Sequence, residues 1–151
     1  MLIILNIEGK VMGFQEKSAW VMLATLVLTA ALYFYNVLSL STADGLAPPL
    51  LPVLLVYTVI LVVIAVVGHI AAALMSPKEA NAAPDEREKQ IADRAESQAG
   101  RVMGFLIMLS LAVYLFSYSG HLLFYGVFAS LIIGQVAEYL LQIVYFRTAS
   151  L

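Results

Sequence analysis

Two side chains inside the long apolar runs carry proton chemistry: His69 and Glu138. An imidazole and a carboxyl facing each other in an apolar wall can share or pass a proton, because burial disfavours the charged form of each. His69 stands 17 positions beyond Pro52 and Glu138 stands 17 beyond His121. On helices both would lie at one depth, about 25 Å from a common boundary. Gln135 and Gln142 flank Glu138 at i−3 and i+4. The spacing therefore predicts a polar pair, His69 with Glu138, supported by Gln135 and Gln142. The plainer role of both residues is to tie helices together or to extend towards water.

Other chemistry is poorly provided for. The chain has no cysteine, so disulfides, thiolate metal sites and cysteine nucleophiles are excluded. His69 and His121 fall near opposite ends of their helices, so one haem iron cannot take both. No zinc, phosphate-loop or nucleophile motif occurs, and no cofactor, metal or catalytic set is expected. A net charge of −2 offers no basic surplus for nucleic acid.

The elements that must hold these residues are membrane spans. Sixty-two per cent of the 151 residues are hydrophobic and 12% charged, far from a soluble domain. No formal charge occurs over 18–43, 45–77 or 102–137, and about 20 apolar residues suffice for one crossing. The third run is too long for one span and breaks at Ser117-Tyr118-Ser119-Gly120. Four helices are predicted, about 17–40, 51–75, 101–118 and 121–146. They form an all-α four-helix membrane bundle with a connector over 76–100.

Orientation follows from the cations. Lys10 and Lys17 precede the first helix; Lys78, Arg87, Lys89, Arg94 and Arg101 lie between the second and third; Arg147 follows the fourth. The opposite side carries only Asp44. Both termini and the connector are thus expected in the cytoplasm, with the protein in the cell inner membrane. Tyr33, Tyr35, Phe116, Tyr118, Phe124 and Tyr125 would line the outer interface, and Trp20, Phe105, Tyr145 and Phe146 the inner one. The first helix is longer than a signal core and is expected to be retained. Met12 is an alternative start to Met1.

A shift of 81 residues lays Val21-Met22 on Val102-Met103, Thr29 on Ser110 and Tyr33 on Tyr114. A shift of 69 lays Ala65 on Gly134 and His69 on Glu138. Two repeated hairpins or chance likeness between apolar helices both account for this. Each helix also has a small or polar face: Thr25, Thr29 and Asn36; Thr58, Ala65, His69 and Ala72; Met103, Ser110, Tyr114 and Ser117; Ser130, Gly134, Gln135, Glu138 and Gln142. Opposite the last, Phe128, Ile132, Val136, Tyr139 and Ile143 are expected to face lipid.

The connector reads as a charged helix over 85–100, continuous with or bent from the third span. Pro84 and the acids Asp85, Glu86 and Glu88 suit a helix start. Asp85 and Lys89, and Gln90 and Arg94, are spaced i,i+4. Ile91, Ala95, Ala99 and Val102 give it a thin apolar stripe. Asp85, Glu86, Arg87, Glu88, Lys89 and Arg94 are the residues expected to dock a partner. A solvated connector is the alternative.

Four spans with an Asp-Glu-Arg-Glu loop, Asp85 to Glu88, resemble an uncharacterised family of small bacterial and archaeal membrane proteins. The resemblance implies no reaction. It implies a regulatory setting, some members being thought to accompany small helix-turn-helix regulators. The function expected is a non-enzymatic accessory or regulatory membrane protein that docks a cytoplasmic or membrane partner, or a second copy of itself. The competing expectation is a small dimeric proton-coupled transporter with Glu138 as the proton carrier.

Overall fold

The computed structural model describes residues 13–148 apart from 44, 76 and 78–84. Four long helices make up the described chain: α1 Phe14–Leu40, α2 Leu51–Met75, α3 Glu86–Ser117 and α4 Gly120–Thr148. Each is long and apolar enough to cross a membrane. The expected spans match them closely, and of the two arrangements expected for the connector helix the continuous one is found, a single helix with the third span. Lys10, Met1, Met12, Lys78, Pro84 and Asp44 lie outside the described residues.

Local chemistry sets the ends. Asp85 accepts from the Glu88 amide at 2.7 Å while Glu88 accepts from the Asp85 amide at 3.1 Å. This reciprocal box satisfies two of the amides a helix start leaves orphaned. The α3–α4 turn is tight: Tyr118 takes a left-handed conformation (φ 51°) and its amide donates to the Tyr114 carbonyl at 2.8 Å. Thr42 and Gly45 exchange backbone hydrogen bonds at 3.1 Å in the α1–α2 loop, where Gly45 sits at φ 149°, open to glycine at no steric cost.

The helices pack as a series of neighbours, α2 on α1, α1 on α4 and α4 on α3. A two-fold relation between hairpins would pair α2 with α3 as α1 pairs with α4, yet α2 and α3 approach only marginally at most. The bundle is therefore open. Its core lies on the central helices, with Ala19, Leu23, Thr25, Thr29, Tyr33 and Val37 buried on α1 and Tyr125, Ser130, Ile132, Gly134 and Ile143 on α4.

That order corrects the expected lipid face of α4. Ile132 and Ile143 are buried, and Phe128 and Val136 pack on the core. A central helix has partners on both sides: Ser130 and Gly134 face α3 while the opposite stripe faces α1. Tyr33 and Tyr125 are likewise buried between helices, whereas Tyr35, Phe116 and Tyr118 are exposed.

Candidate functional site

The site is built where α3 and α4 run closest. A Cβ on Gly134 would stand 2.8 Å from the Met103 Cβ, and one on Gly126 would stand 2.9 Å from the Ser110 hydroxyl. Only hydrogen fits at either position, so the two backbones approach as small residues allow. Ser110 and Ser130 donate to their own helices at 2.9 and 2.7 Å, leaving no hydroxyl unsatisfied in the seam. Towards the chain termini Ile91, Ala95 and Ala99 continue the contact, Ala95 without any exposed surface. The connector's apolar stripe is thus used in packing, and its polar faces turn outward.

Between the two helices, at the same end of the molecule, opens a groove of about 490 Å³. Gly100 and Gly134 belong to its lining, and Asp93, Glu96 and Glu138 surround it with Ser97 and Gln135. Among the described residues no cationic side chain lines it. Gln135 and Gln142 each donate to one oxygen of Glu138 at 3.2 Å, which fixes that carboxylate. The Glu96 carboxylate acts on it with like charge. Among the described residues no three His, Asp or Glu side chains converge as a metal site would require.

His69 is elsewhere. Its Nδ1 faces the Ala65 carbonyl at 2.8 Å, and its Nε2 faces the Ser18 hydroxyl at 2.9 Å. A carbonyl only accepts, so in the neutral ring Nδ1 donates and Ser18 donates to Nε2. Both nitrogens are engaged and neither reaches Glu138. The expected His69–Glu138 pair is therefore not formed: α2 packs mainly on α1, and its ring contact with α4, Tyr57 on Phe128, lies near the start of α2, far along the helix from His69. The expected support of Glu138 by Gln135 and Gln142 is present.

The docking set also divides. Asp85 and Glu88 are engaged in the helix cap. Lys89 pairs at 3.7 Å with Glu86, not with Asp85. Arg94 lies over the Tyr145 ring of α4 at 5.7 Å. Glu86 and Arg87 stay on the exposed surface. Asp93 and Glu96 escaped the sequence reading, although Asp93, Glu96 and Gly100 at i, i+3 and i+7 share one helix face. A second contact invisible in sequence joins the helix ends: Arg147 donates to Glu16 at 3.1 Å and covers Trp20 at 5.6 Å.

Comparison with protein-family models, curated proteins and solved structures finds no match to this chain.

Proposed function

We propose that this chain is a non-enzymatic, four-span membrane protein whose α3–α4 groove docks a cationic segment of a partner protein at the cytoplasmic surface. One observation carries the reading: a groove of about 490 Å³ lined, among the described residues, by three carboxylates and no cation. Such a lining attracts positive charge and repels negative charge, which gives selectivity and a faster encounter more than raw affinity. Lys17, Arg87, Lys89, Arg94, Arg101 and Arg147, with Lys10 and Lys78, flank the spans on one side, which supports placing this end in the cytoplasm. The regulatory setting implied by the Asp85–Glu88 loop agrees with a docking role and stays part of the proposal.

The test is charge reversal. Asp93→Lys with Glu96→Lys is expected to weaken a partner captured from native membranes about tenfold while leaving insertion and folding intact. Added salt weakens the wild-type interaction in the same direction. Undiminished capture by the double variant removes the reading.

One feature supports a second reading. Glu138 sits inside the groove, half-buried and held from both sides by glutamines, as a proton-carrying carboxylate in a small transporter would be. Here Glu138→Gln alone abolishes proton-coupled flux. Under docking it weakens binding only about as much as Asp93→Asn does.

A further inference from the structure

At the other end of the molecule, α1, α2 and α4 meet around three tyrosines. Tyr33 is 4% exposed, its ring 4.9 Å from Phe128, 5.1 Å from Tyr57 and 6.5 Å from Tyr125. The Tyr125 hydroxyl donates to the Ala47 carbonyl at 3.0 Å. The Tyr57 hydroxyl lies beside that of Thr29, which itself donates to the Thr25 carbonyl at 2.7 Å. The Tyr33 hydroxyl has no hydrogen-bond partner among the described residues. Buried hydroxyls without partners are rare because they have surrendered water for nothing.

Tyr33 also lines a cleft of about 240 Å³ between α1 and α2. Tyr57, Thr29 and Asn36 share that lining, and Leu32 and Val56 join it with 57% and 58% of their surface exposed. The mouth is therefore apolar and lateral, facing whatever surrounds the helices. The volume falls below the roughly 300–1,000 Å³ of ordinary small-molecule pockets and suits a length of single chain. Tyr33 lies seven residues before Leu40, the end of α1, hence about 10 Å inside that end. A 27-residue helix is about 40 Å long against roughly 30 Å of hydrocarbon, so this level lies just below the boundary where lipid esters reside.

We infer that the α1–α2 cleft binds one acyl chain of a glycerolipid, whose ester carbonyl accepts a hydrogen bond from the Tyr33 hydroxyl. The inference rests on the membrane insertion proposed above, but not on the groove or its partner. An acceptor oxygen on an apolar tail is the required chemistry: the tail fills the cleft past Leu32 and Val56, and the oxygen satisfies the orphan donor. Annular lipid without this contact exchanges freely and shows no preference for an ester.

The full-length protein is reconstituted in vesicles of equal parts diacyl and dialkyl phosphatidylcholine, matched in chain length, and retained lipids are counted by native mass spectrometry. Dialkyl lipid has the same shape but no carbonyl. Wild type is expected to retain the diacyl form about fivefold over the dialkyl form, one hydrogen bond's worth, and Tyr33→Phe to retain both equally. Val56→Trp, which fills the mouth without touching the tyrosine, is expected to lose both. Equal retention of the two lipids by wild type overturns the inference. So does a preference that survives Tyr33→Phe, or a host-derived small molecule held in the cleft that diacyl lipid does not displace. Alkaline extraction of the same vesicles separates the failures: protein released from the bilayer refutes the membrane reading, and protein retained without preference refutes only the lipid site.

Discussion

Two polar residues in the apolar spans answer the same physical demand differently. His69 spends one nitrogen on its own helix and the other on Ser18, so Ser18→Ala strands the ring's acceptor. It is expected to cost about 1 kcal/mol, a fall of a few degrees in thermal midpoint in detergent. An unchanged midpoint means the ring is satisfied by water. Glu138 is held by two amide donors under like charge from Glu96. Glu138→Gln keeps an acceptor and removes the repulsion, so its midpoint at pH 7 should not fall below wild type. The sequence marked both residues as polar exceptions and predicted one depth for them. It did not reveal which helices are neighbours, because depth along an axis says nothing about position around the bundle. Gln135 and Gln142 were legible because i−3 and i+4 on one helix need no tertiary knowledge.

Helix existence was the most legible layer, since length and charge gaps decide it. The unbroken α3 was also visible in the stripe Ile91, Ala95, Ala99, which packs as the spacing requires. The face assignment of α4 failed for a reason specific to membranes. Lipid and a neighbouring helix are equally apolar, so hydrophobic periodicity cannot distinguish them. Small residues do better, because close approach is a steric fact. Gly134→Ala and Gly126→Ala must push Met103 or Ser110 aside and are expected to cost about 1–3 kcal/mol each. Gly104→Ala on the same seam helix meets nothing within 4 Å and should be neutral or slightly stabilising. Denaturation of the three variants in one detergent checks the order. If Gly104→Ala proves the most damaging, an unseen neighbour covers that face.

For the whole molecule, the open order α2, α1, α4, α3 follows from the same solvent. In water, exposed faces such as Val59, Val63 and Val67 of α2 would be driven to close the ring. In the proposed bilayer they would already be solvated, so no hydrophobic force would draw α2 to α3. Under that proposal both clefts stay accessible, one from the bilayer and one from the termini end. The absence of cysteine makes this order directly measurable. Cysteines at Ala19 and Ile143, which belong to one packed cluster of α1 and α4, should be joined by a short bifunctional maleimide. Cysteines at Val66 and Val102, each exposed and each about 15 residues from the α1–α2 or α3–α4 turn, should not be joined. With a protease site placed in 78–84, a joined pair holds the two halves together on a denaturing gel and an unjoined pair releases them. Equal joining of Val66 to Val102 within one chain means a closed ring. The α1–α2 and α3–α4 clefts would then no longer flank an open edge, and access to each would require the helices to part.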